Sequence, residues 1–205
     1  MRHLRLTVLA AFAVALFAPP IAGAHRPVIT PAQGKLLGEG WAQLYALPLS
    51  ENPFVGNGDP CLVVGHKVVQ PVGNVSCTVS QGTSIMLGYA PSWSNAEDPF
   101  PDTEAEQRAV LRDFAQGFTA ISVVVDGGTP VDIHRRRYER FSPQRTVRLP
   151  EDNILGVRQQ TVTLTAYGWV VLVRNLRPGR HTIDSEARYA DERWTNSRVV
   201  TVVPR

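Results

Sequence analysis

The second half of the chain is a run of short β-branched segments cut by Gly and Pro, and that spacing points to a mainly β fold. Thr119 to Val125 alternates Ile121, Val123 and Val125, then stops at Asp126-Gly127-Gly128. Thr129 to Ile133 returns from that turn. Thr146 to Leu149, Gln160 to Ala166 and Trp169 to Arg174 follow, and Pro178-Gly179 turns the chain into His181 to Ala187. Arg198 to Val203 is the last segment. The first half adds Cys61 to Val69, Asn74 to Val79 and Thr83 to Tyr89. About ten short strands at such intervals are the pattern of a β-sandwich, immunoglobulin-like or jelly-roll. With 16 Gly and 16 Pro spread along 205 residues and no period, these residues read as turns rather than collagen or low complexity.

One helix is expected to interrupt the strands. Pro101-Asp102-Thr103 opens it, with Thr103 and Glu106 at capping-box spacing. Val110, Leu111, Phe114, Ala115 and Phe118 form an apolar stripe, and Gly117 stops it. Gly40 to Leu47 has room for two further helical turns, closed by Pro48.

The first 24 residues have the pattern of a secretory signal peptide. Arg2, His3 and Arg5 precede an apolar run of 13 residues, Leu6 to Ala18, and Ala22-Gly23-Ala24 supplies small residues for cleavage before His25. Spanning a bilayer takes about 20 residues, so that run is too short for an anchor. Residues 25–38, with Pro27, Pro31 and Gly34, are expected as a flexible leader to a single domain over 39–205. A secreted, extracellular chain makes Cys61 and Cys77, the only two cysteines, a disulfide pair. Nearly all basic residues are Arg, which suggests a GC-rich bacterial coding sequence.

Charge excludes one class of partner. Lys and Arg number 21 against 18 acidic residues, and without Arg2 and Arg5 the balance is 19 against 18, a net of +1. No bulk basic field for nucleic acid remains, and no apolar stretch beyond the leader is long enough to embed in a membrane.

Two stretches carry a resemblance. Val123-Val124-Val125-Asp126-Gly127, with Leu176-Arg177-Pro178-Gly179-Arg180-His181-Thr182-Ile183, resembles the strand-turn-strand pattern of bacterial immunoglobulin-like sandwiches. Trp41, Asn52-Pro53, Cys61 and Cys77-Thr78-Val79 are similar to a group of secreted bacterial proteins of unknown function. The resemblance covers about two-thirds of the chain after the leader and consists mostly of turn chemistry. It implies a sandwich that adheres, binds or props, and brings no catalytic residues with it.

Candidate chemistry is sparse. G-x-S-x-G, H-E-x-x-H, the P-loop and the dinucleotide fingerprint are all absent, so no catalytic residue, metal site or cofactor is assigned. His25, His66, His134 and His181 lack ligand spacing, and His181 reads as a turn histidine bonded to a backbone carbonyl. The carboxylates Glu97, Asp98, Asp102, Glu104 and Glu106 could offer oxygens to Ca²⁺, but several also suit a helix N-terminus. Six arginines, Arg135, Arg136, Arg137, Arg140, Arg145 and Arg148, face only Glu139 within residues 134–148, a local charge of +5. Arg135, Arg136 and Arg137 are candidate contacts for an anionic cell-wall polymer, a glycan or a surface protein. Trp93 and Trp194, placed in polar loops, are candidates for stacking on sugar rings. A non-catalytic binding or structural module is the favoured expectation. A small-ligand carrier with a pocket between the helix at 102–117 and the sheet is the first alternative. A glycosidase using carboxylates from different strands is the second.

Overall fold

The computed structural model describes residues 26–205. The signal sequence expected over 1–24 and the start at His25 lie outside the described residues. In chain order the strands are β1 (Val28–Pro31), β2 (Cys61–Gly65), β3 (Val68–Pro71), β4 (Ser76–Ser80), β5 (Ser84–Tyr89), β6 (Ser92–Ser94), β7 (Phe118–Val125), β8 (Val131–Asp132), β9 (Glu139–Phe141), β10 (Arg145–Arg148), β11 (Thr161–Arg174), β12 (Gly179–Tyr189) and β13 (Glu192–Val203). The helices are α1 (Gly34–Ala46) and α2 (Glu104–Ala115).

The strands form two sheets, the expected mainly β sandwich with a helix between strands. One sheet runs β1-β11-β5-β3-β2, with β6, β9 and β10 also paired to β11. The other runs β4-β13-β12-β7-β8. Their inner faces share one core, in which Ile85, Leu87, Val171 and Val173 of the first sheet meet Ile121, Val123, Ile183 and Val200 of the second. Each such side chain contributes about 1.5–3 kcal/mol by leaving water.

β11 is the hub. Its C-terminal half pairs with β5 and β1, and its N-terminal half with β10, β6 and β9. Val171 and Val173 face the inter-sheet core, while Ala166, Val170 and Leu172 pack with Leu37 and Leu44 of α1 on the outer face. Burial on both faces explains its nearly continuous apolar sequence. Gln160 to Ala166 and Trp169 to Arg174 are therefore one strand, not two, and it passes through Gly168 without a turn.

Two other expectations are corrected. Residues 28–31 are a strand paired to β11, so the segment read as a flexible leader is built into the sheet. The helix expected at 40–47 begins at Gly34. Its glycines weaken intrinsic propensity, but packing overrides that cost. A Cβ on Gly38 would stand 2.8 Å from the Ser142 Cβ, and one on Gly40 2.1 Å from Gln70 Oε1. Glycine lets α1 lie close to the sheet.

α2 starts as the sequence suggested. Thr103 Oγ1 accepts from the Glu106 N–H, and Glu106 accepts from the Thr103 N–H. Leu111 and Ala115 are buried. So is Gln107, which donates to the Thr163 carbonyl at 3.0 Å and accepts from the Thr165 hydroxyl at 2.7 Å, fastening the helix to β11.

Candidate functional site

A cavity of 310 Å³ opens between the two sheets. Its origin is a pair of short strands, β3, which lies next to the edge strand β2, and β4, the edge of the other sheet. β3 meets β5 only at Val68–Ser84 and Val69–Ile85, because Pro71 ends β3 and offers no N–H to a ladder. β5 continues to Tyr89. β4 meets β13 only from Val199 onward, so residues 192–198 of β13 extend past it. Both sheets therefore step back at the same place, and the crossover from β3 to β4 contributes Val72 and Gly73 to the wall.

Six aromatic residues line it: Trp41, Phe54, Tyr89, Phe114, Phe118 and Trp194. Trp41 of α1 donates its indole N–H to the Ala90 carbonyl at 2.8 Å and stacks on Phe54, with centroids 5.8 Å apart. Phe118 sits edge-on to Tyr189 at 5.0 Å and to Trp194 at 5.7 Å. Tyr189 in turn stacks on Phe114 of α2 and on Trp194. Interlocked rings of this kind hold each other in place. Phe54 is 49% exposed and stands at the mouth.

Polar groups from both sheets meet around Arg198. On β13, Trp194, Asn196, Arg198, Val200 and Val202 alternate toward the interior. Arg198 is 7% exposed. Its Nη1 donates to Ser185 Oγ at 2.9 Å, its buried Nε has no acceptor, and no carboxylate pairs with it among the described residues. Burial lowers its pKa from the ordinary arginine range, and nearby Tyr89 offsets this in part. A guanidinium still stays charged at neutral pH. Asn196 Nδ2 donates to the Tyr89 hydroxyl at 3.3 Å, and that hydroxyl also lies 3.4 Å from Ser185 Oγ. Gln70 Oε1, on the opposite wall, is buried without a donor.

The sequence candidates are distributed unevenly. Trp194 lines the cavity, but from strand β13 rather than a loop. Trp93 is on β6, packs against the main core and donates to the Glu97 carbonyl, away from the cavity. Arg135, Arg136 and Arg137 are exposed in the turn before β9. Arg135 is paired with Asp132 at 2.8 Å, and Arg137 lies over the Tyr138 ring at 4.6 Å. Of the other arginines, Arg140 donates to the Ala32 carbonyl and Arg145 reaches Glu39. Cys61 and Cys77 are bonded and tie β2 to β4 across the two sheets.

The acidic segment is largely committed elsewhere. Glu97 accepts from the Tyr45 hydroxyl and the Ser94 N–H, Glu104 pairs with Arg108, and Glu106 closes the helix cap. Among the described residues no three of His, Cys, Asp and Glu are grouped to hold a metal ion.

His181 lies near the start of strand β12, just after the Pro178-Gly179 turn, and bonds from both ring nitrogens. Nδ1 lies 2.7 Å from Asp126 Oδ2 and Nε2 lies 2.8 Å from the Arg177 carbonyl. Only the imidazolium donates both bonds at once. Burial lowers the pKa, but the bonds to Asp126 and Arg177 raise it further, for a net rise above 6.5. The resulting stabilisation is fully present below the unfolded value near 6.5 and is lost as pH rises through the folded value. Urea unfolding from pH 5.5 to 8.5 should therefore show the advantage of the natural protein over Asp126→Asn shrinking toward high pH. An advantage independent of pH would refute this account.

No protein-family model matches this chain, and no curated protein matches it. Among solved structures it is similar to PbICP-C in complex with falcipain-2, at 7% identity and a TM-score of 0.27, over 68% of this chain and 100% of that one. It is also similar to the cysteine protease inhibitor EhICP2 from Entamoeba histolytica, at 10% identity and a TM-score of 0.23, over 62% of this chain and 87% of that one. Likeness at this level carries no argument about activity. No described helix is long and apolar enough to cross a membrane.

Proposed function

We propose that this chain is a secreted, non-catalytic binding module that holds a small, largely apolar molecule in the cleft between its two sheets. The observation that carries the reading is the 310 Å³ cavity walled by Trp41, Phe54, Phe114, Phe118 and Trp194. Ligand pockets have this character: concave, mostly apolar, with a few convergent polar groups. The site supported here differs from the alternative expected at 102–117, because α2 contributes only Phe114 and the rest comes from the two sheets, α1, Phe54 and the β3–β4 crossover. Secretion is supported by the apolar leader pattern and by a disulfide that persists best in an oxidising compartment.

A second reading keeps the anionic cell-wall polymer or glycan as partner. It is favoured by Arg136 and Arg137, which are exposed and form no salt bridge among the described residues. Such contacts weaken steeply with salt.

One titration separates the two. N-phenyl-1-naphthylamine, a neutral apolar dye, should bind at one site per chain. Phe54→Ala should weaken it by about three- to tenfold, and the combined Arg135→Ala, Arg136→Ala, Arg137→Ala variant should leave it unchanged. Absence of saturable dye binding, or turnover in a broad glycosidase screen, would refute the cleft reading. Salt-sensitive retention on teichoic acid that is lost in the triple variant would favour the second.

A further inference from the structure

We propose that the cleft ligand is an amphipathic carboxylate, with its apolar body among the aromatic rings and its carboxylate on Arg198. The inference rests on the cleft reading and adds the chemical class of the ligand. β13 presents Trp194, Asn196 and Arg198 in one inward row, so an apolar wall passes within three alternate positions into an amide and then a guanidinium. A buried cation with one neutral hydrogen bond and no carboxylate is a costly element in a sandwich core. Val200 and Val202 continue the same row, so an aliphatic residue at position 198 would extend the core.

An anion from outside offsets that cost. The guanidinium fork matches a carboxylate bidentately. The Asn196 amide stands beside it as a further donor, oriented by its bond to the Tyr89 hydroxyl, which itself donates to the Trp194 carbonyl, and Ser185 already fixes one arm of the fork. A single guanidinium with neutral donors suits a monoanion, and the aromatic walls suit a hydrocarbon chain or ring. A polyhydroxylated sugar would leave most of its hydroxyls unpaired against those walls.

The test uses the full-length protein and three acids, phenylacetate, 4-phenylbutyrate and decanoate, each beside the methyl ketone of matching length. The ketone keeps the carbonyl and the shape but not the charge. Binding is measured by calorimetry or by quenching of Trp fluorescence. The best acid should bind at least about tenfold more tightly than its ketone, as expected for charge-assisted hydrogen bonds. Arg198→Met removes the charge without opening a large void and should abolish that preference while ketone affinity stays within about threefold. Arg198→Lys retains a charge but not the fork, and should lower acid affinity alone. It keeps the test decisive if the Met variant does not fold. Equal binding of acid and ketone to the natural protein, or a preference that survives both substitutions, would overturn the anion site and leave the cleft reading standing. Failure of every acid and every ketone to bind would overturn both.

Discussion

Gly168→Ala is expected to lower stability by about 3 kcal/mol or more, among the largest effects of any single substitution in this chain. Gly168 lies inside β11 at φ 154°, where a side chain is strained whatever the space around it. A Cβ there would stand 2.2 Å from the Tyr89 carbonyl oxygen and 2.5 Å from the Ala90 Cα, both of them backbone atoms. Neither can yield without moving the end of β5. At this point β11 passes from pairing with β9 to pairing with β5, and the Tyr167 N–H reaches the Pro91 carbonyl at 3.0 Å. Gly127→Ala is the control, since Gly127 has φ 66° in a turn with nothing within 4 Å of an added Cβ. It should cost only about 1–2 kcal/mol. Urea unfolding decides the matter, and a Gly168→Ala protein within 1 kcal/mol of the natural one would contradict it. Because Tyr89 and Ala90 line the cleft, the same variant should also bind the neutral dye less well.

The fold was legible where local chemistry and tertiary packing agree. The alternation Ile121, Val123, Val125 produced β7, and Thr103 with Glu106 produced the cap of α2. It was illegible where packing wins. α1 carries three glycines in its first seven residues, a poor local signal that close approach to Ser142 and Gln70 makes useful. Tyr167-Gly168 reads locally as a break, whereas the strand runs through it because only glycine clears the Tyr89 backbone.

The cleft was hidden for a different reason. Its walls come from residues far apart in sequence, Trp41, Phe54, Tyr89, Phe114 and Arg198, which no periodicity connects. One signal was present. If β13 is taken to begin at Glu192 rather than at Arg198, its inward positions read Trp194, Asn196, Arg198, Val200, Val202. Two polar residues on the buried face of a strand mark a site, since burial without partners is costly. The run of arginines at 135–137 is visible in the sequence because charge density is local, while a single buried arginine is visible only after the register is known.

Loss of the disulfide should be the second large effect, at about 3 kcal/mol for Cys61→Ser with Cys77→Ser. The bond spans a sequence separation of 16 and so closes a loop of the size for which the chain-entropy model gives that value. Its placement adds a structural consequence. β2 and β3 pair with each other, but β3 joins the rest of its sheet through only two residue pairs, Val68–Ser84 and Val69–Ile85. β4 is held at the opposite edge by its pairing to β13. The disulfide bridges these two edge elements and pins the crossover at residues 72–75, which carries Val72 and Gly73 into the cleft wall. Stability measured by urea in the absence of ligand should fall by the stated amount. Affinity for the neutral dye should fall as well, because a wall that is no longer pinned must be ordered at the moment of binding. The acid-to-ketone preference should persist, since Arg198 and Ser185 lie on strands β13 and β12, which pair along eleven positions. A double-serine variant as stable as the natural protein would refute the stabilising role. One that lost the acid preference while keeping dye affinity would show that the anion-binding wall, and not the crossover, depends on the bond.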